Sequence, residues 1–422
     1  MKVLIIGSGG REHAIADALA QNPGATKIYC APGNGGISEQ AELVPITADD
    51  VWALVEFART EKIDLTFVGP EVPLSKGVVD IFRRHGLKIV GPTAEQARLE
   101  SSKSFAKNFF RANNIPTANF WECSTPEEAY VVLDGAVSFP IVIKADGLAG
   151  GKGVIIAEDR TMARGAVKEF MEARSLGEAG LKIVIEKFLT GEEVSFHVFA
   201  DGESFLPMVA SQDHKRRFDG DAGPNTGGMG AYSMDTILTP EQRNDIINRI
   251  IRPTLETAKS YTGILYAGLM LTGEGPKLLE YNVRFGDPEA QVVVPRLKTD
   301  LLDVLIDMAE HRLGSRKLEW LSDVTATVVI VSRGYPGKIE IGKEISGLHE
   351  AQRLEGVKVY HAGTRGQDEK VFTSGGRVLN VTARAPTLAE ALERAYMAAE
   401  MIEFDGKDYR KDIGRKGLSK KQ

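Results

Sequence analysis

The chain opens by alternating short apolar runs with amphipathic stretches, and this alternation limits the fold more than any other feature. Val3–Ile6, Lys27–Cys30, Leu65–Val68 and Lys88–Val90 read as strands, each followed by glycine or proline. Glu12–Gln21, Val51–Lys62 and Gly77–His85 lie between them with helical patterns. Strand, helix, strand repeated in this way predicts a parallel sheet with right-handed crossovers from Met1 to about Thr93. Functional loops of such sheets lie beyond the carboxyl ends of the strands. Those ends are Gly7-Ser8-Gly9-Gly10, Ala31 to Gly36, Gly69-Pro70-Glu71 and Gly91-Pro92-Thr93. All are glycine-rich, which points to a small anionic ligand along that edge.

Further on, Glu95–Asn114 has a helical pattern that Ile115-Pro116 stops. A smaller unit follows from Thr117 to about Glu186, with a glycine-rich segment at the tip of an expected hairpin. Leu189-Thr190-Gly191 reads as a hinge out of it. Val194 to about Trp320 is mixed, with strands near Phe196–Phe199, Leu206–Val209, Gly268–Leu271 and Leu278–Val283 and helices at Pro240–Tyr261 and Asp300–Arg312. From Val324 the pattern gives strands at Thr327–Val331 and Val378–Thr382 and a helix at Leu388–Met401.

Bulk properties exclude several classes. A chain of 422 residues with 43% hydrophobic and 26% charged side chains is an ordinary soluble globular sequence with room for several cores. Its 52 basic and 58 acidic residues leave a net charge of −6, so no global field favours nucleic acid or an anionic membrane. Phosphate binding must then come from local sites. Cys30 and Cys123 are the only cysteines and neither sits in a metal-ligand or redox motif. No signal peptide or membrane-length apolar run is visible, so a cytoplasmic location is expected.

Three segments carry chemistry together. Ile141–Val154 places Lys144 on a strand and Lys152 within a glycine-rich loop, so that ammonium groups and backbone N–H groups can both face phosphate. The loop is not a Walker A motif, because its glycine spacing is wrong and Gly153 stands where Ser or Thr would hold magnesium. On Leu278–Arg284, the residues Glu280, Asn282 and Arg284 alternate and so share one strand face, offering oxygen ligands suited to magnesium. Phe285-Gly286-Asp287-Pro288-Glu289 adds an acidic turn. Glu186 and Glu193 flank the hinge after the glycine loop. The combination describes activation of a carboxylate by ATP.

Two more segments are less decisive. Gly7-Ser8-Gly9-Gly10-Arg11-Glu12 invites a dinucleotide reading, but Glu12 occupies the place of the third glycine and Cys30-Ala31-Pro32 lacks the expected acid. NAD is thereby disfavoured; a phosphate at the helix N-terminus and a plain tight turn both remain open. Ser211–Arg217 and Gly223–Tyr232 read as a long loop poor in regular structure, whose basic, glycine and asparagine residues suit a phosphate or carboxylate substrate. No Ser/His/Asp or Cys/His arrangement offers a covalent nucleophile.

These residues, in this order, resemble the phosphoribosylamine–glycine ligase family of the ATP-grasp superfamily. The likeness runs nearly end to end, through Gly9–Ala14, Ala31–Asn34, Val68–Glu71, Lys144–Ala149, Ser211–Arg216, Gly223–Tyr232, Tyr266–Met270, Arg284–Glu289, His361–Thr364 and Arg410–Gly414. Gly150 departs from it, since the family often has alanine there. The resemblance implies a mixed α/β and α+β molecule in four parts. They are an N-terminal parallel domain (1–100), a lid (117–190), a central domain (101–116 with 191–323) and a C-terminal domain (324–422). It implies that Lys103 and Lys144 contact the phosphates of ATP and that the loop with Gly150, Gly151, Lys152 and Gly153 closes over them. Adenine would lie against Glu186, Phe188 and Leu189, with Glu193 on the ribose. Glu280 and Asn282 would hold magnesium or manganese. Gly9, Gly10 and Glu71, with Lys215, Asn225, Gly227 and Gly228, would take the substrates. Arg284 would stabilise the transferring phosphoryl group, and Asp213 or Asp287 would orient an amine. The expected substrates are glycine, 5-phosphoribosylamine and ATP, with no nucleic-acid or membrane partner and a monomeric chain. A sister ATP-grasp ligase acting on bicarbonate or formate, and a nucleotide-binding regulator without turnover, are the competing readings.

Overall fold

The structure is a computed structural model that describes residues 1–135, 137–150 and 153–419. Its N-terminal part is a five-stranded sheet in the order Glu42–Leu43, Lys27–Pro32, Lys2–Gly7, Leu65–Val68, Ile89–Val90, and every pairing is parallel. Leu4 and Ile6 belong to one apolar cluster while Val3 and Ile5 belong to another. Both faces of the central strand are thus covered, which is why it reads as a continuous apolar run rather than an alternating one. The helices Gly10–Ala20, Val51–Thr60 and Val78–Arg84 fill the crossovers.

The helical pattern over Glu95–Asn114 proves to be two helices, Ala94–Ser101 and Lys103–Ala112. Ser102 breaks them apart. Its backbone is extended, its Oγ accepts the Phe105 N–H at 3.1 Å, and the same hydroxyl donates to Asp146 Oδ1 at 3.0 Å. A serine that caps a new helix outcompetes continuation of the old one. The consequence is positional: Lys103 starts the second helix.

The next unit is a four-stranded antiparallel sheet ordered Phe120–Cys123, Ile183–Lys187, Ile141–Ala145, Val154–Ala157. Lys144 pairs in register with Val154, so the glycine-rich segment joins the two strands of a hairpin, as its composition predicts. Gly151 and Lys152, expected phosphate contacts, lie outside the described residues. Helices Pro126–Gly135 and Arg160–Val167 give this sheet a core of its own around Leu133, Ile143, Val167 and Phe170.

A second antiparallel sheet runs Phe205–Pro207, Glu192–Asp201, Thr262–Thr272, Gly275–Asn282. The last pairing carries a β-bulge: Gly268 faces Glu280 and Leu269 faces Leu278, which leaves Leu279 without a partner. Bulges of this kind re-aim the side chains beside them.

The segment Ser211–Tyr232 is not a structureless loop. Gln212–Asp213 and Gly230–Ser233 are strands of a five-stranded sheet completed by Val324–Val331, Arg377–Ala385 and Val357–His361. Val324–Val331 is buried along its whole length and takes Gly230–Ser233 as one of its two neighbours. That non-local pairing is what orders a glycine-rich stretch that local propensity leaves open. The helix Leu388–Met401 packs on this sheet. Among the described residues, no helix is long and apolar enough to cross a membrane.

Candidate active site

A cavity of about 650 Å³ opens where the N-terminal strand ends, the glycine hairpin and the edge strand Gly275–Asn282 converge. Of the residues singled out by sequence, Gly9, Glu71, Lys103, Gly150, Gly153, Asp213, Lys215, Gly227, Glu280, Asn282, Arg284 and Asp287 line it. Segments far apart in sequence are therefore brought to one place.

The edge strand supplies the central charges. Lys103 Nζ lies 3.2 Å from Glu280 Oε2. That ammonium, helped by Lys144 and opposed by burial, holds the Glu280 carboxyl far below the usual carboxylate range. Asn282 Oδ1 accepts from Arg284 Nη2 at 3.3 Å. An ionised carboxylate and an amide oxygen on one strand face are hard oxygen donors. Two protein donors of that kind fit a divalent cation that takes its remaining ligands from phosphate and water.

Arg284 is held on several sides. Its Nη2 donates to Glu100 Oε1 at 2.7 Å, its Nη1 to the Phe285 carbonyl at 3.0 Å, and its Nε lies 3.3 Å from Glu71 Oε2. Burial raises the Glu100 carboxyl, with Arg284 opposing the rise. Glu71 is held below its ordinary value because Arg284 and Arg11 outweigh its desolvation. Such a clamp keeps the guanidinium fixed at the cavity wall.

The opposite wall is acidic and hydroxylic. Lys215 Nζ sits 2.9 Å from Asp213 Oδ2 and 3.7 Å from Glu193 Oε2. Burial opposes its charge, yet Asp213 and its acidic neighbours lift the Lys215 pKa well above the ordinary value. Glu289 Oε1 accepts from Tyr266 Oη at 2.7 Å and from Ser195 Oγ at 3.1 Å. Burial first, and then Asp213, push the Glu289 carboxyl up. His197 stacks on Tyr266 with ring centroids 4.4 Å apart and accepts the Gly286 N–H at 3.3 Å through Nε2. Asp287 Oδ1 accepts from Gln291 at 2.8 Å and lies 3.3 Å from Arg377 Nη1.

The remaining expected site residues stand elsewhere. Lys144 and Glu186 are buried behind the cavity, with Lys144 Nζ 2.9 Å from Glu186 Oε1. Phe188 and Leu189 are half-buried in the connection between Ile183–Lys187 and Glu192–Asp201. Glu193 borders a small recess shared with Asp213, Lys215 and Glu280. Gly10 faces away from the cavity, where a Cβ would meet Asn380 Nδ2 at 2.2 Å. Asn225 pairs with Arg216 in a two-stranded ribbon. Gly228, at φ +114°, lets Pro288 approach to 2.4 Å of where a Cβ would stand.

Glu12 stands further against the dinucleotide reading. Its carboxylate fills the space under the turn, so that a Cβ on Gly69 would lie 1.8 Å from Oε1. It also accepts the Gly9 N–H at 2.5 Å and pairs with Arg11 Nε at 2.5 Å. A pyrophosphate-binding turn needs that room open. Glu12, Glu100, Lys107, Tyr266, Glu289 and Arg377 are parts of the site or its support that sequence reading did not select. The acidic run Arg284–Glu289 was a signal for Glu289; Glu100 and Lys107 carry none, since a charge on an amphipathic helix usually faces solvent.

A small four-stranded antiparallel sheet and a second antiparallel sheet, with lysines and an edge-strand Glu-x-Asn between them, define an ATP-grasp enzyme. Residues 101–290 match the family model described as phosphoribosylglycinamide synthetase, ATP-grasp (A) domain. Residues 1–100 match its N domain and 325–416 its C domain. The chain belongs to the phosphoribosylglycinamide synthetase family. It is 49% identical over 433 residues to the phosphoribosylamine–glycine ligase of Escherichia coli strain K12, covering 100% of both chains. It is 47% identical to that of Halalkalibacterium halodurans over 427 residues, 100% of this chain and 98% of the relative. The crystal structure of the Thermotoga maritima phosphoribosylamine–glycine ligase superposes with a TM-score of 0.83 at 34% identity, covering 98% of this chain and 100% of that one. The biotin carboxylase domain of Hydrogenobacter thermophilus 2-oxoglutarate carboxylase, solved with MgADP and bicarbonate, shares the fold with a TM-score of 0.73 at 17% identity, over 96% of this chain and 91% of that one.

Proposed function

We propose that this chain joins glycine to 5-phosphoribosylamine with cleavage of ATP to ADP and phosphate, giving glycinamide ribonucleotide in de novo purine biosynthesis. The observation that carries this reading is the end-to-end match to ligases of that name at nearly half identity. The cavity's layout of charge fits it.

Glycine's carboxylate attacks the γ-phosphate to give glycyl phosphate, and the amine of phosphoribosylamine then displaces phosphate from the acyl carbon. Neither step asks for much acid–base machinery. Positioning and neutralisation of developing charge supply most of the acceleration. Lys103 and the hairpin bearing Gly150 and Gly153 face the phosphates. Arg284, clamped by Glu71 and Glu100, is placed to steady the transferring group without reorganising. Asp213 or Asp287 takes an ammonium or amine. Glu280 and Asn282 would hold the divalent ion, magnesium or manganese, which supplies charge neutralisation across the phosphates. The hairpin closes over the acyl phosphate and keeps water from it. The Gly9 and Glu71 loops are the place for the sugar phosphate. A monomeric, cytoplasmic enzyme completes the reading.

The test is ADP release with ATP, metal, glycine and phosphoribosylamine generated in place from ribose 5-phosphate and ammonia, each component being left out in turn. Release that needs both glycine and the sugar amine supports the reading. Release that ignores glycine but responds to bicarbonate or formate sinks it in favour of a sister ligase.

A further inference from the structure

We infer that Lys107 is a positioning residue for the nucleotide: it is the standing counter-ion of Glu186, and so frees Lys144 to turn from Glu186 to an anionic phosphate. The inference rests on the ATP-dependent reading above.

Lys107 lies one helical turn after Lys103 on the Lys103–Ala112 helix, so both ammoniums leave the same face. Lys103 reaches the cavity and Glu280. Lys107 does not reach the cavity; its side chain is only 2% exposed and its Nζ sits 2.8 Å from Glu186 Oε2. The same Nζ donates to Thr117 Oγ1 at 2.8 Å, and Thr117 Oγ1 donates to the Leu278 carbonyl at 2.6 Å. From the other side, Lys144 Nζ lies 2.9 Å from Glu186 Oε1 and donates to the next carbonyl, Leu279, at 3.3 Å. One buried carboxylate is therefore shared by two buried ammoniums, each tied to the strand that carries Glu280 and Asn282.

The two lysines are not equivalent. Both ammoniums hold Glu186 closely, at 2.8 Å and 2.9 Å, but Lys107 also donates to Thr117 Oγ1 at 2.8 Å, whereas the second contact of Lys144 is the longer one to the Leu279 carbonyl at 3.3 Å. Leu279, the other tether of Lys144, is the bulged residue beside Glu280. Lys144 thus stands next to the cavity with one long contact besides Glu186, while Lys107 is anchored away from it through Thr117. Burial pushes Lys107 down to about 8. For Lys144 the same burial is outweighed by Glu186 and Glu280, and its pKa stays above the ordinary value.

The charge arithmetic gives the role. If Lys144 swings to phosphate while Lys107 stays, Glu186 keeps a partner. If Lys107 is neutral, the same swing strands a buried carboxylate, which is strongly unfavourable. Lys107 therefore sets nucleotide affinity without touching nucleotide.

The experiment is a double-mutant cycle on the full chain with Lys107→Met, Glu186→Gln and the pair, reading ATP binding by calorimetry alongside KM and kcat. Lys107→Met is expected to weaken ATP about tenfold or more while KM for glycine stays within about twofold. Removing the Glu186 charge should abolish that effect, leaving the double variant within about threefold of Glu186→Gln for ATP. A merely structural ion pair would instead lower stability without singling out ATP. Should Lys107→Met alone fail to fold, the comparison of the double variant with Glu186→Gln decides. The inference is overturned if folded Lys107→Met binds ATP within about twofold of the parent, or if the double variant still binds about tenfold worse than Glu186→Gln. Absence of glycine-dependent turnover in the parent protein overturns the ligase reading instead, and leaves the ATP-binding cycle readable.

Discussion

Lys103 Nζ and Glu280 Oε2 meet at 3.2 Å on the cavity wall, a cation proposed for phosphate paired with an anion proposed for metal. Each neutralises the other, so neither is stranded in a partly buried site. With nucleotide and metal the pair would separate, and the ion's charge would replace the ammonium beside Glu280. The strand alternation that sets Glu280 beside Asn282 thus serves both charge states.

Glu280→Gln is expected to lower kcat/KM by about a hundredfold or more, on the order of 2.7 kcal/mol of transition-state stabilisation. Nucleotide binding measured in chelator should hold or tighten, because Lys103 loses its internal partner. Turnover that survives the change while metal dependence is unaltered would remove Glu280 from the metal site.

Arg284→Ala is expected to fail twice. Turnover should fall well beyond tenfold, since a tenfold loss is worth only about 1.4 kcal/mol and a fixed cation at the transferring phosphoryl group supplies more. Stability should fall by about 3 kcal/mol, because buried Glu100 loses its ion partner. The variant Arg284→Ala/Glu100→Gln separates the two effects: denaturant melts should recover while turnover should not. Recovery of both would reduce Arg284 to a structural role.

Much of this was legible in the chain, and the boundary of legibility has physical causes. Strands buried on both faces, such as Lys2–Gly7, announce themselves as apolar runs closed by glycine. Glu280 and Asn282 show in the sequence because strand alternation is local, whereas Arg284, expected on the same strand face, falls past the strand's end at Asn282. The break at Ser102 and the strands within Ser211–Tyr232 were not legible, for different reasons. The first depends on a side-chain cap that rivals a continuous helix, and the second on pairing Gly230–Ser233 with Val324–Val331, far along the chain. Arg377 escaped notice for the second reason. It lies on the C-terminal sheet, yet its guanidinium donates to the carbonyls of Gly227 and Asp287, both at 2.7 Å.

Gly69→Ala tests how tightly Glu12 fills the N-terminal turn. The new methyl would fall 1.8 Å from Glu12 Oε1 and 2.5 Å from its Cδ. The carboxylate must then move, giving up the Gly9 N–H and Arg11 Nε. A loss of about 1–3 kcal/mol in denaturant melts is expected, as for overpacked cores. Unchanged stability would mean that Glu12 is free to leave. Gly273→Ala is the control: like Gly69 it is not in the left-handed region, but nothing stands within 4 Å of its Cβ.

Acid should destabilise the fold through histidines before it reaches most carboxylates. His13 and His197 are buried and held down to about 3, and His361 to about 4, in each case chiefly by desolvation. A second charge adds to the first two, His361 for His13 and Arg284 for His197. Each folded pKa lies below the unfolded value of about 6.5, so between those limits the unfolded chain binds more protons than the native one. The stability these groups contribute is present above about pH 6.5 and is lost as pH falls, to about 4 for His361 and to about 3 for His13 and His197. At pH 5 the loss is about 2 kcal/mol for each histidine. The midpoint of urea unfolding should therefore drop steadily from pH 7 to pH 5. Imidazole resonances of His13, His197 and His361 should keep their neutral positions throughout. Titration of any of them near 6.5 in the folded protein would contradict its burial as a neutral ring.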